Sequence, residues 1–487
     1  MNDIEKAEEY SKNNNQRIQF LLEKTKKEIK TKCRKFKLYS KYLSFLKELY
    51  KQDAFFPKLE IRFYSDDNRG VVSKASIKQN EIIMIIPKSC LISLELAMSS
   101  DIGKEMSKFM YQELRSPKHC LLTAYMLSEL NKDKWKFYFD LLPKDFNNFP
   151  IFYTERELEL LKGSPFLTQI YEKKLEIKMD YEKICFYIPS FNQYSYNQFC
   201  ESRMLISSRI FGIRINNTKT DVLVPFADLL NHRRPKQTQW YYDNNLNAFV
   251  IQAIEDIPEG SEIFDSYGKK TNSRFLMGYG FALENNDTGE YPLTICFNEN
   301  CPQFQIKKNF FQKEIDYFRT FKLNNIIYES EFMELLSFLR FLLFDEEDID
   351  LLYNAMSSQQ NYLYDGEPLS FYYIAPITKA LEIKVLKQFL YFLREALGKY
   401  PTSLEEDKHV LKTEKNISFN MKNCLLLLMS EKSVLLYFIE FCEYCLGLFN
   451  LSKLEIISKI SVEFKEEECP FDWYIQQVIL KLIKEEQ

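Results

Sequence analysis

Val222–His232 reads VLVPFADLLNH, and Ile263–Phe281 reads IFDSYGKKTNSRFLMGYGF. The first is an apolar run that stops at adjacent Asn231 and His232, beside the basic loop RRPK. The second sets Tyr267 before Gly268 and Tyr279 between Gly278 and Gly280. The whole chain of 487 residues holds only 12 glycines, and five of them (Gly260, Gly268, Gly278, Gly280, Gly289) fall within residues 260–289. Glycine serves where φ must be positive or where something approaches the backbone closely. This stretch is therefore the first candidate for a site, with a set of tight hairpin turns as the plainer explanation.

Strand signals surround the two segments. DVLVPF, AFVIQAI and SEIFDSY are rich in β-formers, and the turn Pro258–Gly260 joins the last two. Earlier, LEIRFY, a turn at Ser65–Gly70 and EIIMIIP give the same signal. Between the two blocks, KHCLLTAYMLSELNKDK and TERELELLKG place apolar residues three and four apart, the helical period. From about residue 305 the pattern is helical again. Neither β block (59–92 and 220–285) can bury a core alone, so the two are expected to form one split domain. The expected fold class is α+β. The expected boundaries are an N-terminal helical segment over 1–54, a β-rich domain over 55–94 and 206–290, a helical insertion over 95–205, and an all-α C-terminal domain over 300–487.

Composition excludes several classes of function. Apolar residues are 46%, aromatic 15% and charged 28%, too much buriable area for a disordered chain. The net charge of −4 excludes bulk electrostatic binding of nucleic acid. Residues 1–50 carry 13 Lys/Arg against 7 Asp/Glu, which reads as a solvated helix face or a patch for an anionic partner. No apolar run reaches the roughly 18 residues of a membrane helix, and MNDIEKAEEY lacks a secretory stretch. Eleven scattered cysteines then read as reduced thiols, and the expected location is cytoplasmic and/or nuclear. Three histidines (His119, His232, His409) and a single apolar CxxC (Cys442, Cys445) leave no expected metal site and no Ser-His-Asp arrangement.

With these residues in view, the chain resembles SET-domain methyltransferases of the Rubisco large-subunit lysine methyltransferase type. PFADLLNH matches one family element and SYGKKTNSRFLMGYGF the other. Asn68-Arg69-Gly70-Val71 looks like the first glycine turn. WKFYFDLLPKDFNNFPIFYTERELELLKGS resembles the helical insertion, and TSLEEDKHVLKTEKNISFNMKNCLLLLMSEKSVLL the helical C-terminal domain. The resemblance covers roughly residues 55–450. NHRRPK departs from the NHxCxPN of many SET enzymes, and the three-cysteine zinc tail is missing, as in the Rubisco-type branch.

The resemblance implies transfer of a methyl group from S-adenosylmethionine to a protein lysine, on a protein substrate, by a monomer. It implies that Tyr267 is catalytic and near the cofactor. Asn68, Arg69, Gly70, Arg209, Asp228, Asn231 and His232 would bind cofactor, and Phe211, Phe226, Ala227 and Tyr279 would line the lysine channel. A core tyrosine, a turn carboxylate at Asp228 and a surface ion pair at Arg209 are the structural alternatives. A neutral amine is required, and deprotonating lysine at pH 7 costs roughly 4.6 kcal/mol. An apolar, aromatic channel lowers that cost by desolvation. Two other functions fit the same branch: a protein-histidine methyltransferase, or an inactive adaptor acting through its helical domain. Phe211 and Ala227, which give an imidazole no hydrogen bond, favour lysine.

Overall fold

The computed structural model describes residues 33–64, 69–310, 318–327, 330–345, 363–364, 367–368, 374–464 and 469–484. It divides into two compact units. The first comprises residues 1–152, 171–270 and 278–280, and the second residues 153–170, 271–277 and 281–487. Most of the basic N-terminal stretch, Lys24 to Lys32, lies outside the described residues, as does Asn68.

Among the described residues the first unit holds three small sheets, as expected of a domain assembled from two β blocks. One is four-stranded, ordered β1 (Leu59–Phe63), β2 (Arg69–Ser73), β10 (Glu262–Asp265), β7 (Asn231–His232). The second is β3 (Ile82–Pro87), β9 (Ala248–Ala253), β8 (Thr238–Asp243), and the third β4 (Ile92–Ser93), β6 (Thr218–Leu223), β5 (Ile210–Ile215). Every sheet pairs strands from both blocks, so neither block could fold without the other. The β2–β10 pairing brings Val71 opposite Ile263, both wholly buried. β10 runs parallel to β7, which sets Asp265 beside His232.

Helices pack around these sheets. α1 (Cys33–Lys51) buries Phe45 and Leu49. α2 (Pro117–Glu129) opens with proline at its first turn, where no N–H is missed, and is apolar nearly all round because it is buried. α3 (Tyr196–Arg209) starts at a capping box of Ser195 and Gln198 and hands straight over to β5. That hand-over fixes Arg209 at a helix end.

The second unit is helical around one apolar core. α5 (Ser330–Leu343), α6 (Lys379–Gly398) and α8 (Phe419–Leu448) bury Leu335, Leu339, Val385, Phe389, Phe438 and Phe441, while α4 (Asn272–Tyr279) contributes Leu276. α7 (Leu404–Thr413) begins at a capping box of Ser403 and Glu406. Two findings refine the sequence expectation. An antiparallel ladder, β11 (Tyr291–Cys296) with β12 (Phe318–Leu323), adds strands to the helical region. Its period-2 burial of Tyr291, Leu293 and Ile295 is clear, but the run is short. Residues 153–170, expected inside the insertion, group with the helical unit because Leu158, Leu161, Phe166 and Ile170 join its core. Gly163 marks that approach: at φ +87, a Cβ there would stand 2.3 Å from the carbonyl oxygen of Lys399.

Candidate active site

A cavity of about 190 Å³ opens in the first unit where α3 meets β5. Tyr267, Tyr279, Phe211 and Ala227 line it, together with Arg209 and Asp228. The rings of Tyr267 and Tyr279 stack at 4.8 Å, inclined by 18°. The Tyr267 hydroxyl donates to the carbonyl of Leu230 at 2.9 Å, which fixes the phenol in one rotamer. Burial raises the pKa of both phenols, Tyr279 to about 12; Asp265 adds to this, and Arg209 only partly offsets it at Tyr267, so both hydroxyls are neutral donors at physiological pH. Gly268 and Gly280, each directly after one of these tyrosines, both take positive φ. At Gly280 a Cβ would stand 2.3 Å from Asn148 Nδ2, which donates to the Gly280 carbonyl at 3.2 Å. Glycine there is a matter of both turn geometry and close approach.

Asn231 and His232 support the cavity without lining it. Asn231 Nδ2 donates to the Arg69 carbonyl at 2.9 Å and to Glu262 Oε1 at 2.7 Å, tying β7 to β2 and β10. Glu262 also accepts from the Tyr64 hydroxyl at 2.8 Å. Gly70 leaves room for that carboxylate, since a Cβ would stand 2.3 Å from Glu262 Oε1. His232 Nδ1 accepts from the Tyr267 backbone N–H at 3.0 Å, and the two rings stack at 5.0 Å. Burial, then Arg234 and Lys270, lower the His232 pKa to about 4, so the ring is neutral and can accept. Arg69 turns its guanidinium to the Tyr42 hydroxyl at 3.0 Å and the Leu229 carbonyl at 3.4 Å. The Asn–His pair therefore orients the backbone that carries Tyr267.

Arg209 and Asp228 form the polar end of the cavity. Arg209 Nη1 donates to Asp228 Oδ2 at 2.8 Å and to its carbonyl at 3.0 Å, and the Tyr138 hydroxyl donates to the same Oδ2 at 2.9 Å. Burial opposes the Arg209 charge, but Asp228 holds it, and the guanidinium stays protonated. Among the described residues Arg209 Nε and Asp228 Oδ1 are buried without a hydrogen-bond partner. An orphaned donor beside an orphaned acceptor suits a zwitterionic α-amino-acid end, whose carboxylate accepts and whose ammonium donates.

A strained turn presents these groups. Phe226 sits at φ 79, uncommon for a bulky residue and costing about 1–3 kcal/mol. Its ring stacks on Phe56 at 4.0 Å and lies 6.4 Å from Phe45, and it is 1% exposed. This corrects the expectation that Phe226 walls the channel. It is a core anchor that turns the next two residues, Ala227 and Asp228, into the cavity.

Among the lining residues that were not anticipated are Trp240, Asp265 and Lys270. Trp240 packs edge-on to Phe211 with centroids 5.5 Å apart. Lys270 donates to the Tyr267 carbonyl and lies 5.9 Å from the Tyr279 ring centroid. Asp265 is 4% exposed, and burial pushes its carboxyl up to about 6. Its signal in the sequence is an acid on the same strand phase as Ile263, the buried phase of β10. Among the described residues no cluster of His, Cys, Asp or Glu is arranged to hold a metal, and no helix is long and apolar enough to cross a membrane.

The SET domain family matches residues 68–268, and the Rubisco LSMT substrate-binding family matches residues 298–435. Ribosomal lysine N-methyltransferase set10 of Schizosaccharomyces pombe is 28% identical over 275 residues, 54% of this chain and 49% of that one. The chain thus spans about half the length of that relative. Actin-histidine N-methyltransferase of Gallus gallus is 21% identical over 79% of this chain and 68% of its own. Among solved structures, the SET domain of LSMT bound to lysine and AdoHcy shares the fold with a TM-score of 0.69. That likeness is 22% identical and covers 83% of this chain and 91% of the other.

Proposed function

We propose that this chain is a SET-domain protein of the Rubisco LSMT type and an S-adenosylmethionine-dependent protein-lysine N-methyltransferase acting on a non-histone protein. The observation that carries the reading is the cavity itself. Two stacked tyrosines form its aromatic wall, and a half-satisfied Arg209–Asp228 pair forms its polar end. The pair fits the amino-acid part of the cofactor: Arg209 Nε toward the carboxylate and Asp228 Oδ1 toward the ammonium. Bound there, S-adenosylmethionine supplies a methyl group activated by a positively charged sulfonium.

The chain's own groups do the rest. Tyr267, fixed by Leu230 and by the ring of His232, holds its phenol oxygen at the junction where amine and methyl meet. Tyr279 and Phe211 shield the apolar stem of the incoming side chain. Their desolvation lowers the cost of a neutral amine. Alignment, rather than acid–base chemistry by a metal or a triad, is the main demand of such a displacement.

A second reading, a protein-histidine methyltransferase, draws on Asp265. Phe211 and Ala227 give an imidazole no hydrogen bond, but a carboxylate in the same cavity could hold one ring N–H and so fix the tautomer. The experiment is labelling of a cell extract with methyl-tritiated S-adenosylmethionine and the purified protein, followed by mass spectrometry of the modified residue. Label on an ε-amine is expected. Label on an imidazole nitrogen alone overturns the lysine assignment, and no labelled protein together with no cofactor-induced thermal shift overturns the enzyme.

A further inference from the structure

We propose that Asp265 is a specificity-determining residue of the acceptor channel, receiving an N–H of the target amine and so favouring acceptors that still carry one. The inference rests on the lysine methyltransferase reading above and adds its product range: mono- and dimethyllysine, with the trimethyl form disfavoured.

Asp265 ends β10, two residues before Tyr267, and its carboxylate is buried at the wall of the cavity that Tyr267 and Tyr279 share. It acts electrostatically on both phenols. Its known donors are neutral dipoles: the Ser266 backbone N–H at 2.7 Å on Oδ1, and the Trp240 indole. A carboxylate accepts about four hydrogen bonds. Two donors therefore leave acceptor capacity, and dipoles alone leave most of a buried negative charge uncompensated. An N–H-bearing head entering between the tyrosines supplies the missing donor.

The product range follows from counting hydrogens. In transfer the nitrogen lone pair faces the methyl carbon. The N–C bond forms as the C–S bond breaks, sulfur keeps the electron pair, and the nitrogen releases one proton to water. A primary amine then has two N–H bonds to spare and a monomethylamine has one, so either can face Asp265. A dimethylamine has none, and its reaction would set a methyl group against the carboxylate. Leaving a buried acceptor unpaired is how a polar site rejects an analogue that lacks the hydrogen.

The test uses the full chain saturated with S-adenosylhomocysteine, titrated calorimetrically with free L-lysine and its Nε-mono-, di- and trimethyl forms. In their charged states the first three keep an N–H and the last has none. The wild type is expected to bind trimethyl-lysine at least tenfold more weakly than dimethyl-lysine. Asp265→Leu is expected to reduce that step below threefold while S-adenosylhomocysteine still raises its melting temperature. If leucine disturbs the fold, Asp265→Asn, which fills the same space without the charge, is expected to shrink the step as well. A flat series in the wild type, an unchanged step in the variants, or no binding of any of the four overturns the role given to Asp265. Failure of S-adenosylhomocysteine to bind the wild type instead breaks the methyltransferase reading on which it rests.

Discussion

Buried charge is used differently in the two units. In the helical unit the Arg340 guanidinium is closed on every side: Nε and Nη2 go to Glu382 at 2.8 and 2.7 Å, and Nη1 to the Ile374 carbonyl at 2.8 Å. Tyr474 adds a hydroxyl to Glu382 at 2.5 Å. Lys432 is similarly enclosed by Asp407 and Thr402, and Glu431 by Ser164 and Tyr400. In the first unit Arg209 and Asp228 form a largely buried pair, yet a donor and an acceptor are left over, and both residues border a cavity. The lesson is that burial and pairing do not mark a site. Incomplete pairing at the wall of a cavity is the better pointer, since buried unpaired atoms occur elsewhere too, as at Arg203 and Asn423.

The sharpest way to break this contrast is at the reacting end of the cavity. Tyr267→Phe removes one hydroxyl whose hydrogen bond to Leu230 is worth about 1 kcal/mol to the fold. Melting temperature and cofactor affinity should change little. Methyl transfer, read by label incorporation, should fall by about two to four orders of magnitude, since an aligned polar group is lost from the transition state. Unchanged turnover would remove Tyr267 from the chemistry.

The helical unit should respond in the opposite manner. Arg340→Met strands the Glu382 carboxylate, which is wholly buried, and should cost about 3–5 kcal/mol of stability by denaturant titration. Adding Glu382→Met should recover most of that loss, because two apolar side chains leave no unpaired charge. A double variant as unstable as the single one would mean that the pair is worth more than its burial costs.

Much of this was legible in the sequence, and what was not has physical reasons. PFADLLNH and SYGKKTNSRFLMGYGF told where to look because glycine and abrupt polarity are local properties of the chain. The α+β class followed from period-2 and period-3.6 patterns in separate blocks. Phe226 was misplaced because an aromatic beside a motif looks the same whether its φ is positive or negative, and the left-handed turn sends the ring to Phe56 instead of the cavity. Asp265 escaped notice because one acid in a four-residue strand reads as an exposed position until the pairing with His232 and Val72–Val71 fixes which phase is buried. Residues 153–170 could not be assigned to the helical unit from periodicity, which names a buried face but not what covers it.

Acid sharpens the comparison further. In the first unit His119 and His232 titrate near 4, both mainly because burial disfavours the charged ring. The unfolded chain takes up those protons near 6.5, so their contribution is complete above that value and is lost as pH falls toward 4. Asp265, raised to about 6 by burial, works against them over part of the window. In the second unit burial raises Glu431 to about 7. Its folded form binds the proton more tightly, so the penalty it imposes disappears as pH falls from 7 to 4.5. Between pH 6.5 and 4.5 the first unit should therefore loosen while the second should not. Hydrogen exchange followed by mass spectrometry reads the two units separately, and parallel loss of protection in both would contradict this assignment.

The smallest effect concerns the leftover donor. Arg209→Lys keeps a positive charge beside Asp228 but gives up the planar fork, and with it Nε. The ammonium can still reach Asp228 Oδ2, so the buried carboxylate stays compensated and the melting temperature of the protein alone should move little. A lysine holding Asp228 has no second edge with which to bind a carboxylate. S-adenosylmethionine affinity should therefore fall about tenfold, the equivalent of about 1.4 kcal/mol for one charge-assisted hydrogen bond. The same loss should appear for S-adenosylhomocysteine, which shares the amino-acid end, and should be absent for an analogue lacking the carboxylate. Equal losses for all three would mean that lysine has merely disturbed the cavity, and that Nε meets no ligand there.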